Sequence, residues 1–156
     1  MAAAVVSIRN LTQAELGTAA ELRARMNREM DEYHDATHPG WRERFCAFFK
    51  QRMDAERAAL FVAELDGAIC GLASVYLMVN HRTEIFHHPT AYVTSVYVVP
   101  EQRRKKIATQ LMAACIQWAK EHGCDQVRLR SSEMGRPVYL GMGFSPSNEL
   151  ELRLNP

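Results

Sequence analysis

The chain has 156 residues, of which 47% are hydrophobic and 24% are charged, close to the average for globular proteins. Nineteen Lys and Arg residues against 18 Asp and Glu residues give a formal net charge of +1, which argues against binding to nucleic acid or to an anionic membrane through global charge. This composition excludes a disordered or fibrous chain. The length predicts one domain over residues 1–156 with a buried core.

The first third of the chain predicts a short strand followed by two helices. Residues 5–9 are typical of a strand, and Thr12 and Glu15 have the spacing of a capping box at the start of a helix that ends near residue 30. Residues 31–40 are polar and end in Pro-Gly, which predicts a loop. Aromatic residues then recur on one face of a second predicted helix over 41–56.

The middle of the chain predicts strands. An Asp-Gly pair separates two apolar runs, residues 60–65 and 68–79, and this is the strongest short signal for a β-hairpin. Residues 80–89 are polar and predict a loop. Residues 90–99 are rich in Val, Tyr and Thr and predict a strand that Pro100 ends.

The last third predicts a strand-helix-strand crossover. A helix is expected over 104–122 and a strand over 126–130, so the strands on either side of this helix should lie parallel in one sheet. A short helix over 137–142 and an alternating strand over 149–154 complete the chain. The predicted fold is α/β, with a single mixed, mostly antiparallel sheet flanked by helices.

Neither a metal site nor a membrane segment is expected. The cysteines have no C-x-x-C pair and no zinc-type spacing, and the loop histidines match no metal motif. The apolar start is too short for a signal peptide, and no apolar run reaches the ~20 residues of a membrane helix. We therefore expect a cytoplasmic protein with the reduced thiols Cys46, Cys70, Cys115 and Cys124.

Four consecutive cations at residues 103–106 stand where a strand, a loop and a helix are predicted to meet. A helix N-terminus presents unpaired N–H groups and favours anions, so each cation there should cost up to about 0.3–1 kcal/mol unless an anion binds. A solvated basic turn and a nucleic-acid patch are the alternatives for such a run. The position of the run favours a polyanion such as a diphosphate.

This run resembles motif A of the GNAT acetyltransferases, whose pattern is Q/R-x-x-G-x-G/A. In that family the loop amides hold the diphosphate of acetyl-CoA, and the preceding strand end hydrogen-bonds the pantetheine arm through its backbone. The first glycine of the pattern is replaced here by lysine, which keeps the N–H and adds a charge and a Cβ. The resemblance implies strand-end contacts at Val96, Tyr97 and Val98, and loop contacts at Arg103, Arg104, Lys105, Lys106, Ile107, Ala108 and Thr109.

Residues 135–144 resemble motif B of the same family, which often reads Y-x-x-x-G-F. In many members the tyrosine lies beside the CoA sulfur and acts as general acid, which implies that role for Tyr139. The alternative for Tyr139 is a packed aromatic on a short helix. Some members carry an asparagine seven residues earlier that holds the cofactor, and Ser132 stands at that position here.

The resemblance implies a GNAT-like acyl-CoA acyltransferase fold and an N-acetyltransferase that moves the acetyl group of acetyl-CoA to a primary amine by direct attack. Two other classes are alternatives: a non-catalytic acyl-CoA-binding sensor module, and a nucleic-acid-binding protein that uses residues 103–106. Near-zero net charge counts against nucleic acid. Members of the family often form dimers, so a homodimer is the oligomer that the resemblance suggests.

The acceptor amine is expected between residues 30–41 and 80–89, because acceptors in this family enter between the N-terminal helices and the loop after the third strand. Asp31, Glu32 and Asp35 could attract a cationic amine, or they could form an ordinary solvated helix end and loop. The predicted strand 90–99 has no carboxylate to serve as general base. Glu32, Glu84, His87 and a water chain are the open alternatives for the base.

Overall fold

The computed structural model describes residues 4–155, and within them five strands form one sheet in the order β1-β2-β3-β4-β5. Neighbouring strands pair antiparallel except β4 and β5, which are parallel. The predicted mixed, mostly antiparallel sheet is therefore confirmed. The strands are β1 Ser7–Asn10, β2 Ala58–Leu65, β3 Ala68–Met78, β4 Thr90–Val98 and β5 Gln126–Leu129.

Helices cover both faces of the sheet. The helices are α1 Leu16–Glu29, α2 His34–Thr37, α3 Trp41–Asp54, α4 His81–Phe86, α5 Ile107–Glu121 and α6 Arg136–Gly141. On one face α1 packs against β4, and α3 lies beside α1 and against β2. On the other face α5 packs across β2, β3 and β4, with Leu111 and Met112 fully buried.

The crossover β4-α5-β5 has the predicted parallel arrangement, but its helix begins later than predicted. We expected a helix from residue 104, and α5 begins at Ile107. Arg104 and Lys106 have φ values of 64° and 60°, in the left-handed region that a right-handed helix excludes. The basic run is therefore a loop in front of the helix.

Two segments predicted as loops contain short helices, α2 within 31–40 and α4 within 80–89. The Asn80 side chain caps α4 by accepting hydrogen bonds from the backbone N–H groups of Arg82 at 3.0 Å and Thr83 at 3.4 Å. Asparagine is among the preferred N-cap residues, so a sequence signal for α4 was present. Helices of four and six residues show no repeated apolar face, which is why periodicity misses them.

The strand predicted over 149–154 is absent from the structure, so that prediction is wrong for the chain taken alone. Strand geometry is stabilised by a hydrogen-bonded ladder, and this segment pairs with no strand of the described residues. Leu150, Leu152 and Leu154 are 99%, 83% and 86% exposed. The alternating pattern is present, but the chain itself provides no surface that covers it.

The predicted capping contact before α1 is confirmed, and it belongs to an ion-pair cluster. The Glu15 carboxylate accepts hydrogen bonds from the Thr12 backbone N–H at 3.2 Å and the Thr12 hydroxyl at 2.8 Å. Arg9 lies 2.8 Å from carboxylate oxygens of both Glu15 and Glu64, which joins β1, β2 and the start of α1. Hydrogen bonds from Arg9 and Thr12 lower the pKa of Glu15 to about 2.

We expect the Glu15→Gln variant to have a lower Tm than wild type at pH 7, with the difference shrinking as the pH falls to 2. The folded-state pKa of about 2 lies below the ordinary value of 4.5. The stabilisation is therefore complete above about pH 4.5 and is lost as pH falls through the folded-state pKa. Thermal unfolding followed by circular dichroism measures this. The exposed Glu133→Gln is the control, and a Glu15→Gln offset that stays constant down to pH 2 would contradict the assignment.

Candidate active site

The strands β4 and β5 separate part of the way along β4 and leave one edge of β4 open. They pair from Thr90 with Gln126 to Val93 with Leu129, and β4 then continues to Val98. On its β5 side, the stretch 94–98 has no neighbouring strand among residues 4–155. Backbone N–H and C=O groups along such an edge can bind an extended ligand. The predicted contact residues Val96, Tyr97 and Val98 all lie on this edge.

A β-bulge lies directly beyond the last pair between β4 and β5. In the pairing with β3, Tyr97 lies opposite Leu72 and Thr94 lies opposite Ser74, so β4 has one residue more than β3 between these pairs. Ser95, inside this stretch, has a φ of 58°, a left-handed value that is uncommon for a residue other than glycine. Bulges at such positions redirect side chains and backbone groups.

Arg23 of α1 holds this bulge. One of its terminal nitrogens donates hydrogen bonds to Thr94 Oγ1 at 3.2 Å and Ser95 Oγ at 2.9 Å. Consecutive strand side chains normally point to opposite faces, so the bulge is what brings both hydroxyls to one guanidinium. The Arg23 Nε donates to Asn27 Oδ1 at 3.1 Å.

The charge of Arg23 has no direct counter-ion. No carboxylate lies within 4.0 Å of its guanidinium among residues 4–155. Burial lowers the pKa of Arg23, the negative charge of Glu32 at longer range opposes this shift, and the arginine stays protonated. Arg23 is not among the residues predicted from the sequence. A signal existed, because Arg23 follows the buried Ala19 and Ala20 by four and three residues and so lies toward the buried side of α1.

A chain of polar contacts leads from the bulge to a surface pocket. Asn27 is 1% exposed, and its Nδ2 lies 2.9 Å from His34 Nδ1. His34 Nε2 in turn lies 3.3 Å from Glu32 Oε2. The pocket lies in the predicted acceptor region and is lined by Ala24, Asn27, Arg28, Glu32, Tyr33, His34, Asp35, Ala36 and Trp41.

The acidic cluster predicted in this region is partly neutralised. Asp35 accepts hydrogen bonds from Arg42 Nε at 3.0 Å and from Trp41 Nε1 at 2.9 Å, and its second oxygen accepts from Arg42 at 3.0 Å. Glu32 contacts His34 only through the long 3.3 Å pair. Of these two carboxylates, Glu32 is therefore the one left to attract a cation.

The loop before α5 has the conformation of an anion site. Lys106 stands at the motif position where the family has glycine, and its φ is 60°. In this left-handed conformation a residue other than glycine carries backbone strain of roughly 1–2 kcal/mol, which a glycine would avoid. The Gln110 N–H donates to the Lys106 carbonyl at 3.1 Å and begins the helical ladder. The N–H groups of Ile107, Ala108 and Thr109 have no acceptor within residues 4–155.

The four cations of the loop differ in their surroundings. Arg103 turns back: its NH2 lies 2.6 Å from Glu29 Oε2, and its Nε donates to the Val98 carbonyl at 2.9 Å. Lys105 donates to a neighbouring glutamine oxygen at 2.6 Å. Arg104 and Lys106 are exposed, and neither has an ion-pair partner in the described part of the chain. Of the four cations, these two are the ones available to pair with an anion.

Glu29 ties the end of α1 to this loop and to β4. Besides Arg103, it accepts a hydrogen bond from the Tyr97 hydroxyl at 2.6 Å. Burial and this hydrogen bond raise the pKa of Tyr97 to about 12. Burial alone would raise the pKa of Glu29, but the hydrogen bonds from Tyr97 and Arg103 outweigh it, and the pKa of Glu29 lies below its usual value. Glu29 is therefore ionised at neutral pH.

Tyr139 of α6 is half-buried, and its ring packs edge-on against Phe144 with centroids 6.0 Å apart. Burial, with a smaller effect from Cys115 of α5, raises the pKa of Tyr139. Its hydroxyl has no hydrogen-bond partner within residues 4–155, so it is free to donate to a ligand. A Cβ added at Gly135 would lie 3.0 Å from Tyr139 Cε2, so glycine there lets the ring lie against the backbone.

Ser132 lies next to this tyrosine. Its hydroxyl accepts a hydrogen bond from the Gly135 N–H at 3.1 Å, and its carbonyl accepts one from the Arg136 N–H at 3.0 Å. Ser132 thus stabilises the turn into α6.

No cluster of three or more His, Cys, Asp or Glu residues within 4–155 has an arrangement that could hold a metal ion. Over the same residues, no helix is both long enough and apolar enough to cross a membrane.

Comparison with known proteins agrees with this geometry. Residues 22–144 match the model of the acetyltransferase (GNAT) family. The aminoglycoside N(6')-acetyltransferase type 1 of Salmonella typhimurium is 24% identical over 101 residues, which cover 63% of this chain and 70% of that protein.

Two solved structures share the fold over nearly their full length. A predicted acetyltransferase with acetyl-CoA from Clostridium acetobutylicum superposes with a TM-score of 0.83 at 21% identity, covering 96% of this chain and 97% of its own. A GCN5-related N-acetyltransferase from Ralstonia eutropha gives a TM-score of 0.82 at 24% identity, covering 96% and 99%. The predicted fold is confirmed by these likenesses.

Proposed function

This chain belongs to the GNAT family of acetyl-CoA-dependent N-acetyltransferases, and on that basis we propose that it acetylates a primary amine by direct attack, with Tyr139 as general acid. The observation that carries the proposal is the open edge of β4, which runs from the bulge to the anion-binding loop before α5. The whole chain acts as one such domain. Free cysteines at all four positions favour the cytoplasm.

The residues of the cleft fit acetyl-CoA. The unpaired N–H groups at residues 107–109 and the exposed side chains of Arg104 and Lys106 would hold the diphosphate. The backbone of 96–98 would hydrogen-bond the pantetheine arm, with Ser132 close to the thiol end. An arm that follows β4 away from α5 brings its thioester toward the bulge at Ser95, where β4 and β5 meet.

The reaction forms a C–N bond as the neutral amine attacks the thioester carbon and breaks the C–S bond as CoA leaves. Tyr139 donates its proton to the departing sulfur, and the proton that the nitrogen loses on becoming an amide restores the tyrosine, directly or through solvent. With ordinary pKa values of about 10 for tyrosine and about 8.5 for a thiol, this transfer is uphill by about 2 kcal/mol. Burial raises the pKa of Tyr139, which keeps the acid protonated at neutral pH and adds to the uphill cost.

Arg23 supports the acyl group from the other side of β4. Its two hydrogen bonds fix the Thr94 and Ser95 side chains and so hold the bulge. Its charge is partly buried and has no carboxylate within 4.0 Å among the described residues, although Glu32 acts on it at longer range, so it favours the negative charge that develops on the thioester oxygen during attack. Arg23 is thus a positioning residue that also contributes to the local field.

The acceptor binds in the pocket between α1, α2 and the start of α3. The aminoglycoside relative suggests a cationic amine, and Glu32 is the pocket carboxylate that remains to attract it. The ammonium must lose a proton before attack. His34, paired with Glu32, joins Glu32, Glu84 and His87 as a candidate base, because it lies at the pocket end of the polar chain from the bulge.

We expect Lys106→Glu to raise the Kd for acetyl-CoA by roughly 10- to 100-fold, as for the loss of a hydrogen bond to a charged group. The substitution places a negative charge beside the diphosphate at the start of α5. Isothermal titration measures the Kd. Lys120→Glu, on the exposed last turn of the same helix, makes the same charge change and should leave the Kd unchanged. Equal Kd values for wild type and Lys106→Glu would contradict the diphosphate site.

The acetyl transfer itself is tested by thiol release from acetyl-CoA with a panel of amines. The panel holds an aminoglycoside with a free 6'-amine, a linear diamine, an amino acid and a peptide with a free N-terminus. Turnover that stops when the amine is acetylated beforehand shows that the free amine is the acceptor. Tight acetyl-CoA binding with no turnover over the whole panel would favour the sensor module.

A further inference from the structure

Asn27 is a buried polar residue between the β4 bulge and the pocket at the end of α1. Its side-chain amide has a partner at each end. Oδ1 lies 3.1 Å from Arg23 Nε, and Nδ2 lies 2.9 Å from His34 Nδ1. A buried amide needs such partners, because an unpaired polar group away from water is costly. The two partners therefore decide which way the amide faces.

The contact with Arg23 fixes the orientation of the amide. A guanidinium has donors only, so the Asn27 atom that faces it must be the oxygen. The Asn27 amide nitrogen, which can only donate, then faces His34 Nδ1, and this ring nitrogen must accept. In the neutral His34 ring the proton is consequently on Nε2, since the hydrogen bond at one ring nitrogen sets the state of the other.

The protonated side of the His34 ring lies beside Glu32. Nε2 is 3.3 Å from Glu32 Oε2, so an N–H group rather than a lone pair is next to the carboxylate. Within residues 4–155 neither ring nitrogen has another hydrogen-bond or ion-pair partner. Of the candidate bases, His34 is then the least suited, because neither of its nitrogens keeps a free lone pair.

The other groups around His34 do not compete for its ring nitrogens. The rings of His38 and Trp41 contact it edge-on, with centroids 5.2 and 6.3 Å away. Among the other charged residues that line the pocket, Arg28 donates to a carbonyl of its own helix at 3.3 Å, and Asp35 is ion-paired with an arginine of α3. The tautomer of the ring therefore follows from its two polar contacts.

The backbone of Asn27 holds Glu32 as well. Helix α1 is followed by Asp31, which has a φ of 57°. The Glu32 N–H donates to the Asn27 carbonyl at 2.9 Å, and the Asp31 N–H donates to the Arg28 carbonyl at 3.1 Å. These two bonds form the Schellman motif that ends many helices. Glu32 is thus tied to Asn27 directly at its backbone, and through His34 at its carboxylate.

We propose that Asn27 is a positioning residue for the acceptor amine: it holds His34 as the Nε2–H tautomer, and His34 orients Glu32 as the counter-charge of the acceptor ammonium. The inference rests on the proposed function, because it takes this pocket as the acceptor site. The same amide contacts Arg23, so one buried residue links the bulge with the carboxylate that faces the amine.

Nitrogen-15 NMR of the histidine rings tests the tautomer at about pH 8, where an ordinary histidine is neutral. We expect His34 of wild type to carry its proton on Nε2. In Asn27→Asp a proton should be on Nδ1, because a carboxylate can only accept. The spectrum of His34→Gln lacks one set of ring signals and so assigns them. Asn148→Asp makes the same change at an exposed position and should leave the His34 signals unchanged.

Titration with 1,4-diaminobutane, followed by NMR, tests the effect on the acceptor without any need for turnover. We expect Asn27→Asp to raise the Kd for the diamine roughly 10-fold, as for the loss of a hydrogen bond to a charged group. A proton on Nδ1 leaves either a lone pair facing Glu32 or an imidazolium that takes Glu32 as its own partner. His34→Gln offers an acceptor to Asn27 and an N–H to Glu32, so its Kd should stay near wild type. His34→Leu offers neither and should resemble Asn27→Asp.

A purely structural role for Asn27 predicts a different result. Asn27→Asp would then lower Tm and leave the His34 tautomer and the diamine Kd as in wild type. That result would overturn the inference, and so would a wild type that binds the diamine no more tightly than neutral 1,4-butanediol. Neither readout uses acetyl transfer, so a lack of turnover over the amine panel would count against the proposed function alone. Circular dichroism of each variant shows that the chain is folded.

Discussion

Tyr139→Phe is expected to lower kcat by roughly 100-fold or more and to leave the Kd for acetyl-CoA nearly unchanged. The substitution removes only a hydroxyl that has no hydrogen-bond partner within residues 4–155, so it leaves no buried group unpaired. The phenylalanine ring keeps its packing against Phe144 and against the core near Cys115. A loss of kcat without a loss of binding is the mark of a group that acts on the departing sulfur.

The pH dependence gives a second readout of the same role. A general acid works only while protonated, and burial raises the pKa of Tyr139. Any fall of kcat that Tyr139 causes at alkaline pH should therefore lie above about pH 10, and Tyr139→Phe should abolish it. The control is Tyr92→Phe, in the stretch of β4 that is still paired with β5. An equal loss of kcat in both variants, or an unchanged kcat in Tyr139→Phe, would refute the acid role.

The order of strands and long helices could be predicted from the sequence because those elements carry strong local signals. The crossover around α5 has a buried face repeated over four turns, and the Asp-Gly turn between β2 and β3 has positive φ at both residues. The helix α4 depends on its cap, α2 is a single turn, and the C-terminal segment has no strand to pair with among the described residues. The spacing of apolar residues in the sequence reveals none of these three features.

The candidate site was predictable only where it is continuous in the chain. The loop 103–109 and Tyr139 belong to motifs that can be read locally. Arg23 contacts Thr94 and Ser95, which follow it in the chain by 71 and 72 residues. Glu29 contacts Arg103, which follows it by 74 residues. Packing of α1 on β4 is what brings these residues to the site. The bulge is a single extra residue in β4. It changes the pairing with β3 without changing the residue types typical of a strand, so the sequence does not predict it.

Arg23→Gln is expected to lower kcat by roughly 100-fold, because it removes a positive charge that favours the developing oxyanion and loosens the bulge that Arg23 positions. Glutamine can still hydrogen-bond Thr94, Ser95 or Asn27, so the substitution chiefly removes the positive charge. Steady-state kinetics with a saturating amine, beside titration with acetyl-CoA, separates the effect on kcat from the effect on binding.

The control for Arg23→Gln is Arg25→Gln, which removes a charge from an exposed position two residues along α1 and should leave kcat unchanged. Arg23→Lys keeps the charge but not the fork geometry, so it should recover part of the lost kcat. A role limited to holding the fold predicts the opposite pattern: Arg23→Gln would lower Tm and weaken acetyl-CoA binding, and kcat of the remaining folded enzyme would match wild type. A kcat in Arg23→Gln equal to that of Arg25→Gln would therefore remove Arg23 from the reaction and leave it a structural support of the bulge.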